Sequence, residues 1–186
     1  MARLVDTLAA IDAANSADLD HSEGKPAALL YGERMSEELS RLYPDASETL
    51  QIAARGQHIE RWTSPRNAYP EGREGYLKWR ADLALFHAGR VGEIMANAGY
   101  ASADIERVSA MLRKIGIKRD AEVQALEDVA CFTFLRWYFH PFAADKTPEA
   151  LERIVTKTAR KMSAGARARV LAEFELPPNL ASAFGS

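Results

Sequence analysis

Two histidines and an aspartate, His58, His87 and Asp128, lie within apolar, helix-prone stretches of this chain. An imidazole or a carboxylate that leaves water without a partner costs free energy, so each needs a partner inside the fold. Imidazole nitrogen and carboxylate oxygen are both good ligands for a divalent metal such as zinc, iron or manganese. Three such groups on separate helices can hold a metal and leave positions open for water and substrate. Glu127, beside Asp128, reads as solvent-facing; turned inward, it is a candidate general base. Plainer readings stand beside these. A buried histidine is commonly hydrogen-bonded to backbone or to an acid, and Asp128 can pair with a core-facing arginine.

A second group of residues suits anion recognition. Arg61, Arg66, Arg73 and Arg80, with Arg55 ahead of them, are interleaved with Trp62, Tyr69, Tyr76 and Trp79. Guanidinium forks match the oxygens of phosphate or carboxylate, and the rings can stack on a base. The alternative is a loop stitched to its own helices by salt bridges and cation–π contacts. Lys114 and Lys118-Arg119 either add positive potential or complement helix ends. An anionic small molecule or nucleotide is the expected ligand, with an exposed RNA segment as a further possibility.

Composition bounds these readings. The 186 residues are 47% hydrophobic and 27% charged, ordinary for a globular protein. A net charge of −2 supplies no global basic field, so any nucleic-acid binding must be local. Cys131 is the only cysteine, which excludes internal disulfides and a cysteine-built zinc site. No apolar run approaches the roughly 20 residues that span a bilayer. The first 20 residues lack a signal-peptide layout, so a cytoplasmic protein with no membrane partner is expected.

The elements that must position these side chains are helical almost throughout. Leu4, Leu8 and Ile11 mark a first helix ending near Asn15, and a polar loop follows from Asp18 to Lys25. Pro26 opens a second helix that Pro44 stops. Ser47, or Asp45, caps a third, which is expected to run to about Trp62. The stretch from Pro65 to Gly75 reads as an ordered loop. A long helix spans Tyr76 to Ala98 and is closed by Gly99. Ser102 caps a fifth helix, ending near Gly116. Asp120 opens a sixth, nearly all apolar from Val129 to Phe139, which Pro141 is expected to break. Thr147-Pro148-Glu149 begins a seventh, and residues 163–174 form a short eighth. The tail after Pro177-Pro178 reads as loose. The expectation is all-α: a single compact domain of about seven to eight helices.

The run Ala53-Ala54-Arg55-Gly56-Gln57-His58-Ile59-Glu60-Arg61-Trp62, with Pro65-Arg66, Tyr69-Pro70, Arg73, Gly75-Tyr76, Trp79-Arg80 and Phe86-His87, resembles the family catalogued as domain of unknown function 4202. Asp12-Ala13-Ala14-Asn15, Tyr31, Met35, Asp45-Ala46-Ser47-Glu48 and residues 126–131 extend the resemblance over about residues 4–142. That leaves a helical extension at about 147–176. A weaker resemblance is to the HD-type metal-dependent phosphohydrolases, which are all-α and place histidines and aspartates on successive helices. It implies that His58, His87 and Asp128 are metal ligands, in an HD-like fold. Ile59 stands where that family pairs an aspartate with the histidine, and neither Tyr31 nor Glu33 supplies its early histidine. The ligand set is therefore reduced or altered. The expected function is an HD-like metal-dependent phosphohydrolase acting on a phosphorylated small molecule or nucleotide. In it Arg61, Arg66, Arg73 and Arg80 bind the substrate anion and Glu127 is the base. The alternative is a non-catalytic nucleotide- or RNA-binding helical protein.

Overall fold

The computed structural model describes residues 2–185, and it is all-α apart from one two-residue β-ladder. The helices pack as two compact units, the first reaching to Gly116 and the second beginning at Ile117. In the first, α1 (Ala2–Asn15), α2 (Ala27–Leu42), α3 (Glu48–Arg55), α4 (Gly72–Asn97) and α5 (Ser102–Leu112) surround a core that includes Ile11, Met35, Ile52, Ile59, Val91, Met95 and Met111. All seven are inaccessible to solvent. Helix α5 lies along α3 and α4, while α1 touches α2, α3 and α4.

Local signals set several helix starts. The Ser47 hydroxyl accepts from the Leu50 N–H at 3.1 Å, and Ser47 rather than Asp45 is the cap of α3. Such caps are worth about 1 kcal/mol. Helix α2 has no local cap. A side chain from farther back serves it: Asp18, buried, accepts from the Ala28 N–H at 3.0 Å and from the Asp20 N–H at 3.0 Å. Between them the expected polar loop is a tight hairpin, β1 (His21–Ser22) against β2 (Lys25–Pro26). Glu23 and Gly24 both take positive φ, the two-residue turn whose twist suits antiparallel strands. Helix α5 starts on Ala101 rather than on a Ser102 cap.

Helix α3 ends seven residues earlier than Trp62, at Arg55, because of what packs beside Gly56. A Cβ on Gly56 would lie 2.5 Å from Val91 Cγ2 and 3.3 Å from the Ile52 carbonyl. The missing side chain lets α4 approach closely. Arg55 then binds back, with Nε and Nη2 each 2.6 Å from an Asp12 oxygen and Nη1 3.3 Å from Ser36 Oγ. One guanidinium thus joins α1, α2 and α3. Gly56→Ala is expected to destabilise the protein by about 2 kcal/mol, the usual cost of overpacking beside a stiff β-branched neighbour. The double variant with Val91→Ala should recover part of that loss in urea unfolding; purely additive losses would show that the contact is not the cause.

The second unit holds α6 (Ala121–Thr133), a π-helical turn (Phe134–Tyr138), α7 (Phe139–Ala143), α8 (Pro148–Lys161), α9 (Ala164–Glu173) and α10 (Pro178–Ala181). Asp120, Thr147 and Ser163 cap α6, α8 and α9 with their side chains. Pro141 does not end the sixth helix where it was expected to. The π-turn widens the coil ahead of it, and α7 carries Pro141 within it. The segment after Pro177 is folded rather than loose: Leu180 and Phe184 are buried there, 6% and 3% exposed.

Candidate anion-binding site

Between α3 and α4 the chain makes a compact turn in which Ile59 N–H donates to the Gly56 carbonyl at 3.1 Å and Arg61 N–H to the His58 carbonyl at 3.2 Å. Glu60 sits in the left-handed region, with φ 49° and ψ 31°, an unfavourable conformation for a residue with a side chain. Three contacts hold it there. Its N–H donates to Asn15 Oδ1 at 3.0 Å, and its carboxylate takes Arg90 Nε at 2.6 Å and Nη2 at 3.3 Å. Glu60 and Glu93 in return keep Arg90 firmly protonated.

This turn places His58 and Arg61 side by side, with Arg61 Nη1 3.0 Å from His58 Nε2. A guanidinium can only donate, so His58 Nε2 accepts and the ring proton resides on Nδ1. Tyr31 of α2 stacks on the imidazole, centroids 4.2 Å apart and planes within 18°. His87 of α4 stands at 5.9 Å from it, tilted by 40°. The Arg61 guanidinium also lies 4.9 Å over the Trp79 ring, whose Nε1 donates to the Ser64 carbonyl at 2.9 Å. Arg80 donates to the Tyr76 hydroxyl at 3.3 Å.

His87 is buried, 4% exposed, and its Nδ1 is 2.9 Å from the Ile59 carbonyl. A carbonyl only accepts, so Nδ1 carries the proton and Nε2 presents a lone pair. That lone pair is buried with no hydrogen-bond partner, as is Gln57 Oε1.

The electrostatics have one sign. Burial, then Arg61, His87, Lys114 and Arg80, hold His58 well below the ordinary imidazole range. Burial pushes His87 down to about 4; the bond to Ile59 opposes this and Arg61 adds to it. Both rings are therefore neutral acceptors at neutral pH. Burial also lowers the pKa of Arg61, Tyr31 and Tyr76 oppose that, and Arg80 reinforces it. Among the described residues no carboxylate pairs with Arg61 or Arg80.

A depressed histidine pKa means the folded state binds fewer protons than the unfolded chain between the two values. The stability due to neutral His87 is present above about pH 6.5 and is lost as pH falls towards about 4. The loss is on the order of 3 kcal/mol for this group, and His58 adds to it in the same direction. Urea midpoints measured from pH 7.5 to 4 should fall over this window, and His87→Asn should flatten the curve. An equal slope in the variant would mean that other groups carry the acid sensitivity.

Of the other residues singled out in the sequence, Arg66 donates to the Tyr69 carbonyl at 3.0 Å and the Gly72 carbonyl at 3.4 Å, stitching its own loop. Arg73 is exposed near the start of α4. Asp128 and Glu127 belong to the second unit. Asp128 is inaccessible to solvent; its Oδ1 accepts from the Ser163 N–H at 2.7 Å and Gln124 Nε2 at 2.9 Å, and its Oδ2 from Ser163 Oγ at 2.6 Å. Glu127, expected to face solvent, is only 3% exposed, with Lys161 Nζ at 3.7 Å. Helix α6 is buried on nearly all sides, so adjacent positions are both covered. Tyr31 was not expected at the site; its contact with His58 joins separate elements and leaves no local signature.

The donor set does not fit a metal. Among the described residues no three His, Cys, Asp or Glu side chains form a ligand group. A cation at His58 Nε2 would also lie against the Arg61 guanidinium, 3.0 Å away. Nor is any described helix long and apolar enough to cross a membrane.

These observations define the class: an all-α protein whose first unit packs two neutral imidazoles against the Arg61 guanidinium and the Tyr31 and Trp79 rings. The chain belongs to the family described as Domain of unknown function (DUF4202), whose model matches residues 5–183. That match runs on beyond residue 142, so the C-terminal helices are part of the family region rather than an extension. No curated protein and no solved structure matches the chain.

Proposed function

We propose that this protein binds a phosphorylated small molecule or nucleotide in its first unit, at the cluster of Tyr31, His58, Arg61, Arg80 and His87. One observation carries the proposal. Arg61 is a half-buried cation in contact with a neutral imidazole and an indole ring, and among the described residues no carboxylate neutralises it. A guanidinium drawn out of water without a counter-ion is unfavourable, and a phosphate would supply the missing charge and bidentate acceptors. Arg80 and Lys114 strengthen the field, since both act on His58. One N–H of the Arg61 fork is engaged by His58, and the others remain for the ligand.

The reading is binding without a metal. Two imidazoles beside a guanidinium are a poor ligand set, and no hydrolytic step through an ion is assigned to them. The test is a thermal-shift and calorimetric screen of phosphate esters and nucleotides, with chelator present and turnover monitored in the same samples. Saturable stabilisation that survives chelation is the expected result; at 100 times Kd it amounts to about 2.7 kcal/mol. No stabilisation by any member, at low salt, would defeat the proposal. Binding by RNA oligonucleotides alone would redirect it to the nucleic-acid reading.

A further inference from the structure

A phosphate dianion is an acceptor only, so it suits Arg61 and Arg80 but cannot satisfy His87 Nε2, which is itself an acceptor. We infer that His87 Nε2 accepts from a hydroxyl of the bound ligand, which is therefore a phosphorylated alcohol with a free O–H close to its phosphate; this rests on the phosphate-binding reading above. The bond from Nδ1–H to the Ile59 carbonyl, 2.9 Å, fixes the tautomer that leaves the lone pair on Nε2. Nε2 is buried, has no protein donor, and belongs to a ring 5.9 Å from His58, whose own Nε2 is engaged by Arg61. An unsatisfied buried acceptor costs free energy in the free protein, and a ligand O–H removes that cost. A donor-only guanidinium beside an acceptor lone pair suits a hydroxylated phosphate ester better than a bare anion.

Isothermal calorimetry at pH 8 with chelator tests this, using glycerol 3-phosphate and n-propyl phosphate, which share a three-carbon chain and differ in their hydroxyls. The wild type should prefer glycerol 3-phosphate by about tenfold, the size of one hydrogen bond. His87→Asn puts an amide N–H where Nδ1 stands and removes Nε2. It should bring the ratio of the two affinities to about one, whatever it does to n-propyl phosphate affinity itself, and His87→Gln, which restores an acceptor near Nε2, should recover part of the preference. Equal binding of the two esters by the wild type would overturn the inference without using any variant. A preference undiminished in His87→Asn would overturn it as well. If neither ester binds, the inference is overturned while the phosphate reading is decided by the wider screen; if both bind equally, the phosphate reading stands alone.

Discussion

Arg61→Ala weakens phosphate-ester binding by about 10- to 100-fold, the expected loss for a charge-assisted hydrogen bond to phosphate. The loss should appear in Kd by calorimetry, with little change in fold. Among the described residues Arg61 has no carboxylate partner, so its removal also relieves an uncompensated charge. The lost contacts over Trp79 and to His58 offset that relief, and the net stability change should stay below about 1 kcal/mol. Arg61→Lys keeps the charge but not the planar fork, and should fall between the two. A second readout separates this from a merely structural role: Arg61 is the nearest charge depressing His58, so the His58 pKa should rise in Arg61→Ala, visible by NMR titration. Unchanged affinity would remove the main support for an anion site.

Asp128→Ala should be the most damaging single change for stability, at about 3–5 kcal/mol in urea unfolding. The carboxylate is inaccessible to solvent and accepts three hydrogen bonds, two of them from Ser163 at the start of α9. Removing it leaves buried donors without acceptors, each at about 1–3 kcal/mol. Asp128→Asn keeps one acceptor oxygen and should cost less than half as much. A stable Asp128→Ala protein would show that holding Ser163 is not what keeps this acid in the core.

Particular residues show how far the sequence can be read. Ser47, Asp120, Thr147 and Ser163 announce helix starts, because a cap is a contact between neighbours three residues apart or fewer. Gln124 and Asp128 stand four residues apart, one helical turn, and they meet at 2.9 Å. The end of α3 was misjudged. The apolar run continues past Gly56, and only the close packing of Val91 explains the break. Pro141 was read as a helix breaker, and the preceding π-turn, invisible in composition, accommodates it.

The candidate site divides in the same way. Residue type alone nominated His58, His87, Arg61 and Arg80, since imidazoles and guanidiniums in apolar company need partners wherever the chain goes. Which partners they find is a matter of distance between α2, α4 and the turn after α3. Tyr31 on His58, Ile59 under His87 and Asn15 holding Glu60 in a left-handed turn all join positions far apart in the chain. Helical periodicity and caps are local and survive in the primary structure. Tautomers, orphaned lone pairs and uncompensated charge exist only after packing has removed water and set the neighbours.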